Sequence, residues 1–288
     1  MGGALVTSPP PTLSASGRGV RRALSEAASQ LAPVTETPRL DAELLMAHAL
    51  GMTREALLLG HLDDAMPPGF AVLLSRRLAH EPVAYITGTR AFWTIDLHVG
   101  PGVLIPRPDS ETLIEAAITH FTRQSPATIL DLGTGPGSLL LAALSEWPGA
   151  RGLGVDVSDA ALDYARRNAA DLGMAERARF VRGDWAAGLA GPFDLILCNP
   201  PYIGIDEVLP EEVRAFEPCG ALFAGTDGLD DYRLIAPQLK PLLAAGGAAI
   251  LEIGHTQSQP VTDLLASQGF SVALARDLAG RPRALVAT

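Results

Sequence analysis

The chain is expected to be an α/β protein: a doubly wound, mostly parallel seven-stranded sheet preceded by a small N-terminal helical domain. Three observations predict this. Residues 17–80 carry helical periodicity without a strand signal; from Ala127 onward short apolar runs alternate with amphipathic helical stretches; and the last two apolar runs are joined by the short link GRPR, so one of them should run antiparallel. A chain of 288 residues that is 48% apolar has enough material for one large core and a smaller one.

In the first region, Thr37 is placed to cap a helix with Pro38 in its first turn, Leu40, Leu44 and Ala47 on one face and Gly51 as its stop. Thr53 can cap TREALLL, and a later helix carries Phe70, Leu73, Leu74 and Leu78 on one side. A boundary falls near residues 82–90. The predicted organisation is a flexible tail at 1–16, a helical substrate-docking domain at 17–82, a linking hairpin at 83–108 and a catalytic domain at 109–288. In the hairpin, FWTIDLHV is one strand and GPG at 100–102 turns it towards VLIP. A helix follows, capped by Asp109 or Ser110 and ending near Phe121. The remaining strands are TILDL, GLGVDV, RFVRGD, FDLILC, GAAILEIG, FSVALA and PRALVAT.

Composition narrows the function. A net charge of −10 disfavours extended contact with a nucleic-acid backbone. Two cysteines, Cys198 and Cys219, are too few for a disulfide framework or a zinc site, so free thiols in a reducing, cytoplasmic setting and no metal are expected. The N-terminus does not read as a signal peptide, and no run of 18 uncharged apolar residues occurs, so a soluble protein without membrane contact is expected, acting as a monomer.

The loop DLGTGPG lies between a strand and a helix. Gly133, Gly135 and Gly137 allow backbone to approach a ligand closely. The spacing is not that of a dinucleotide fingerprint, because Ser138 stands where the third glycine belongs, and the Gly-Lys-Ser/Thr of a phosphate loop is absent. Asp131 offers a carboxylate to a ligand amino group, Asp156 can accept two ribose hydroxyls, Asp184 an adenine amine, and Trp185 can stack on the base. S-Adenosylmethionine meets these demands without a phosphate. Singly, each residue is explained by a tight turn, a helix cap or core packing; together they fall at the ends of three successive strands.

The strand FDLILC stops at NPPY. Asn199 and Pro200 each precede a proline, so the turn is stiff. Neither proline has an N–H, which leaves the Asn199 side-chain oxygen and the Pro200 carbonyl as outward acceptors suited to a planar –NH2 group, with Tyr202 as a flat surface. No catalytic histidine is evident; His255 is read as a bystander, and Arg107 as either a roof over the site or an ion pair with Asp109 or Glu111. Lys240 beside Pro241 does not suit Schiff-base chemistry.

DLGTGPG, GVDVS, GDW and NPPY, in this order, resemble class I S-adenosylmethionine-dependent methyltransferases of planar nitrogens, a Rossmann-like fold. PVAYITGTRAFW, LIPRPDSE, NPPYI, FEPCGALFAGTDGLDDYR and GRPR are similar to the HemK/PrmC family, the release factor glutamine-N5 methyltransferases, from about residue 38 to the C-terminus. The resemblance implies methylation of the glutamine of a Gly-Gly-Gln motif in class 1 peptide-chain release factors, with S-adenosylhomocysteine as product. It implies that Gly133, Thr134, Gly135, Pro136 and Gly137 contact the methionine part, Asp156 the ribose, and Trp185 the adenine side, and that Asn199, Pro200, Pro201 and Tyr202 grip the glutamine amide. Pro136 stands where the family often has a small or hydroxyl residue, removing one N–H donor. Competing readings are an adenine-N6 nucleic-acid methyltransferase, a ribosomal-protein glutamine methyltransferase, and a cofactor-sensing module without catalysis.

Overall fold

The computed structural model describes residues 19–288, and the tail expected at 1–16 lies outside them. The chain divides into two compact units: the described residues up to Gly88 together with Glu211–Phe216, and Thr89–Pro210 together with Glu217–Thr288.

The first unit contains α1 (Val20–Leu31), α2 (Pro38–Leu50), α3 (Arg54–Gly60), α4 (Phe70–Leu78) and α5 (Val83–Thr87). α1 buries Val20, Ala23, Leu24, Ala27 and Leu31, the i, i+3/i+4, i+7 stripe of a core-facing helix. Two readings of α2 are corrected. Thr37 stands at the N-cap but makes no capping bond; its hydroxyl donates to Asp41 Oδ1 at 3.0 Å instead. Ala47 is buried as expected, but beside Ala42, Leu45 and Met46, while Leu40 is exposed and Leu44 half-buried; polar Asp41 and Glu43 also turn inward to meet arginines. Arg77 of α4 is buried between Asp41 (2.8 Å) and Glu212 (2.7 Å), the latter on the helix Glu211–Phe216, so its charge is compensated on both sides. Thr53 does cap α3, accepting from Ala56 N–H.

The second unit opens with β1 (Thr89–Phe92) and β2 (Ile95–His98), an antiparallel hairpin. Its turn is at Trp93 and Thr94 rather than at GPG, and VLIP is not a strand. Trp93 adopts φ +55°, with its backbone N–H given to Glu111 Oε1 at 2.9 Å and its indole N–H to Glu146 at 2.6 Å. A short 3₁₀ turn, Pro108–Ser110, leads into α6 (Glu111–His120). Neither expected cap forms, since Asp109 is taken by Arg283 at 2.8 Å and the Ser110 hydroxyl by Asn199.

The elements then alternate as β3 (Thr128–Leu132), α7 (Ser138–Glu146), β4 (Arg151–Asp156), α8 (Asp159–Asp171), β5 (Ala178–Arg182) and β6 (Phe193–Cys198). After them come α9 (Glu211–Phe216, the helix of the first unit), α10 (Asp230–Leu239), β7 (Leu243–Glu252), α11 (Ser258–Ser267), β8 (Val272–Arg276) and β9 (Pro282–Ala287). The seven-stranded sheet has the order β5-β4-β3-β6-β7-β9-β8. β9 enters antiparallel between β7 and β8, and the other pairings among β3 to β7 are parallel. Leu130, Leu132, Ile196, Ala249 and Leu251 fill the centre of the core. The carboxyl ends of β3, β4 and β6 therefore open on one edge, at the point where strand order reverses.

Candidate functional site

At the end of β3 the backbone leaves the sheet through Gly133 (φ +69°), Gly135 (φ +55°) and Gly137 (φ +87°) before α7 begins. Gly133 and Thr134 N–H both donate to the Val155 carbonyl at 2.9 and 3.0 Å, tying the turn to the neighbouring strand. Asp156 completes the tie. Its Oδ2 accepts from Gly135 N–H at 2.8 Å and its Oδ1 from Ser158 N–H at 2.9 Å, leaving each oxygen a lone pair for a vicinal diol.

A cavity of about 360 Å³ opens above this turn, lined among others by Val103, Thr134, Asp156, Asp184, Trp185 and Asn199. Gly133, Gly135, Pro136, Pro201 and Asp231 also reach it. A Cβ on Gly133 would stand 3.2 Å from the Trp185 ring, so the absence of a side chain there lets the indole, carried by a residue at φ +49°, lie against the turn. Three carboxylates, Asp156, Asp184 and Asp231, line the space, and among the described residues no lysine, arginine or histidine does. Such a lining repels phosphate and suits a nucleoside bearing positive charge.

Several predicted residues lie elsewhere. Asp131 is fully buried beneath the turn, where Oδ2 accepts from the Thr134 hydroxyl (2.6 Å) and Leu140 N–H (3.2 Å). Burial pushes its carboxyl up to about 7, the two hydrogen bonds opposing the shift. Gly137 also faces away from the cavity: a Cβ there would meet Leu141 Cδ1 at 3.0 Å, so its role is to let the chain pass close to α7. Arg107 is paired with Glu217 rather than with Asp109 or Glu111. His255 is exposed.

At the end of β6, Asn199 and Pro201 reach the cavity, whereas Pro200 is buried and Tyr202 half-buried behind them. Asn199 Nδ2 donates to Ser110 Oγ at 3.2 Å, leaving Oδ1 free to accept. Gln257 pins the turn from behind, its Nε2 donating to the Tyr202 carbonyl at 2.9 Å and to the Gly228 carbonyl at 3.2 Å. The Tyr202 hydroxyl donates to Glu252 Oε1 at 3.3 Å. Ser110, Asp231, Glu252 and Gln257 were not expected at the site. Ser110 and Asp231 lie in LIPRPDSE and GLDDYR, segments that carry the family resemblance, and Glu252 is an acid ending the otherwise apolar strand GAAILE, whereas Gln257 left no such signal.

Residues 22–88 match the PrmC N-terminal domain and residues 109–213 the methyltransferase small domain. The chain is 46% identical over 259 residues to a release factor glutamine methyltransferase of Rhodospirillum rubrum, covering 88% of this chain and 79% of that protein. It is 40% identical over 278 residues to one of Moorella thermoacetica, covering 93% and 98%. In solved structures the fold recurs in a methyltransferase from Pyrococcus furiosus (TM-score 0.52, 19% identity, 74% of this chain and 95% of that one). It recurs also in the hMettl16 catalytic domain in complex with MAT2A 3'UTR hairpin 6 (TM-score 0.56, 17% identity, 75% and 81%). With a Rossmann-like sheet, an acid-lined cavity at its switch point and this degree of identity over most of its length, the chain belongs to the family of release factor glutamine methyltransferases.

Proposed function

We propose that this protein transfers a methyl group from S-adenosylmethionine to the side-chain amide nitrogen of the glutamine in the Gly-Gly-Gln motif of class 1 peptide-chain release factors. The observation that carries this reading is the polarity of the rigid tip: Asn199 faces the cavity with its amide nitrogen donating to Ser110 and its oxygen open. An acceptor so placed selects a ligand that brings N–H groups, as a primary carboxamide does.

Membership of a methyltransferase family implies S-adenosylmethionine, and the donor set fits it: Asp156 for the ribose hydroxyls, Asp184 and Trp185 for the base, and an anionic lining for the positive charge. Asp131, Thr134 and Gly137 would act indirectly or from the edge, by shaping the turn that Gly133, Gly135 and Pro136 present. When bound, the cofactor supplies an electrophilic methyl on sulfonium. An amide nitrogen is a poor nucleophile, so positioning has to lower the barrier. Asn199 Oδ1 would accept one hydrogen of the substrate amide, which would favour the rehybridised nitrogen of the transition state, whereas Pro200, expected to accept the other, is buried and outside the cavity lining. The methylated nitrogen is acidic and loses a proton to water without a strong base. We assign docking of the rest of the release factor to the helical unit, whose residues 22–88 match the PrmC N-terminal domain.

The test is methyl transfer from labelled cofactor to purified class 1 release factor, with fragment mass spectrometry of the Gly-Gly-Gln peptide. Label on that glutamine, and none on DNA or ribosomal protein supplied separately, is expected; label on DNA alone would overturn the assignment.

A further inference from the structure

The proposed chemistry gives no part to Asn168, a polar residue in the last turn of α8 that is only 1% exposed. Its amide oxygen and nitrogen are both engaged by segments from other elements. Oδ1 accepts from His98 N–H at 2.7 Å, and Nδ2 donates to the His98 carbonyl at 3.1 Å and to the Pro136 carbonyl at 2.9 Å. His98 ends β2, and the strap of chain that follows it supplies Val103, Leu104 and Pro106 to the cavity lining; Pro136 lines the same cavity from the glycine turn. α8 holds the strap at two further points. Tyr164, one turn before Asn168, fills the space left by Gly100, where a Cβ would collide with its hydroxyl. His98 Nε2 stands 2.9 Å from Asp171 Oδ2.

The partners admit one orientation of this carboxamide. His98 N–H can only donate, so it takes Oδ1; the two carbonyls can only accept, so they take the two hydrogens of the NH2 end. Pro136 has no N–H, and with its carbonyl given to Asn168 this position offers a ligand an apolar ring. The backbone ties of the turn to β4 are made by Gly133 and Thr134, so Pro136 lies beyond them and depends on the side chain from α8. A residue that fixes both the strap and the turn beforehand removes ordering that ligand binding would otherwise have to supply.

We propose that Asn168 is a positioning residue for the cofactor: its carboxamide clamps the strap after β2 to the glycine turn, so that the cavity is formed before it is filled. This rests on reading the cavity as the S-adenosylmethionine site and names the residue that preorganises it. Asn168→Asp keeps the shape and the acceptor for His98 N–H, but as a carboxylate it can donate to neither carbonyl. It should weaken S-adenosylhomocysteine binding, measured by calorimetry, on the order of 10-fold, the scale of a hydrogen bond lost from an ordered site. Asn168→Ala should give a loss of the same order. In both, kcat for release-factor methylation at saturating cofactor should stay close to wild type, because the proline tip is untouched. Asp194→Ala is the control. It removes the acceptor shared by Ala127 N–H, Thr128 N–H and the Thr128 hydroxyl at the other ends of β3 and β6, and should lower the melting temperature without moving the dissociation constant. Wild-type affinity in the Asn168 variants, or an equal loss in Asp194→Ala, would overturn the proposal. Amide hydrogen exchange on the wild type needs no variant: residues 98–104 and 133–137 should already be protected in the free protein, and exchange there at the rate of an unfolded chain refutes a preformed cavity. Should the wild type fail to bind S-adenosylhomocysteine, the cofactor reading falls on its own. Faster exchange of those residues in Asn168→Asp than in wild type would still support the clamp, and equal exchange would refute it.

Discussion

The glycine turn after β3 and the proline tip after β6 leave adjacent parallel strands by opposite means. The turn gives up side chains and uses positive φ at Gly133, Gly135 and Gly137, so that its backbone can meet a ligand. The tip removes freedom with two prolines, so that one side chain is aimed. Binding a large, flexible nucleoside needs close approach, whereas activating a poor nucleophile needs a fixed direction. Each region also rests on a buried carboxyl raised to about 7 by burial: Asp131 under the turn and Glu252 under the tip.

If this division holds, a change at the tip should slow chemistry and spare cofactor binding. Asn199→Ala is expected to lower kcat by roughly 100- to 1000-fold, the cost of losing one oriented hydrogen-bond partner of a transition state. Cofactor affinity measured by calorimetry should barely move. Parallel losses in both would erase the distinction. Trp185→Ala should do the reverse, weakening cofactor binding by about 1 to 3 kcal/mol of lost stacking with kcat at saturating cofactor nearly kept. An unchanged dissociation constant would remove Trp185 from the base site.

A gentler test lies at Gly137. An alanine there must adopt φ +87° and crowd Leu141 Cδ1 at 3.0 Å, so Gly137→Ala should reduce unfolding free energy by about 1 to 2 kcal/mol. Denaturant titration reads this directly; unchanged stability would mean the turn has slack.

The two carboxyls predict a pH slope. Both have folded pKa values above those of unfolded carboxyls, so between about pH 5 and 7 the native state holds more protons than the unfolded one. Stability should therefore fall as pH rises through that window, by at most about 1.4 kcal/mol per pH unit for each group. Urea unfolding of the wild type, Asp131→Asn and Glu252→Gln should show each substitution flattening part of the slope. A wild-type curve that rises with pH would contradict the burial argument.

Much of this was legible in the sequence because the informative residues were local. Glycine spacing, consecutive prolines and an acid closing a strand each constrain their own few bonds; strand–helix alternation pointed to the sheet, and the short GRPR link to one antiparallel strand among the last two, which is β9. What was not legible depended on residues far apart in the chain. The hairpin turn was misplaced because Trp93 is held at positive φ by Glu111 and Glu146, a conformation its side chain would not suggest. Asp131 looked like a ligand for the cofactor, but its local hydrogen bonds to Thr134 and Leu140 keep it under the turn. Arg107 found Glu217 across more than a hundred residues, and Ser110 met Asn199 across 89.

The two thiols divide sharply in accessibility. Cys198, immediately before Asn199, is buried, and that burial raises its pKa well above the usual thiol value, while Cys219 is exposed. A maleimide dye should therefore attach once, at position 219, and leave the strand bearing the tip unmodified. Nature has supplied a single-colour optical reporter on the segment between the tip and α10, usable for following substrate encounter without engineering a cysteine-free background.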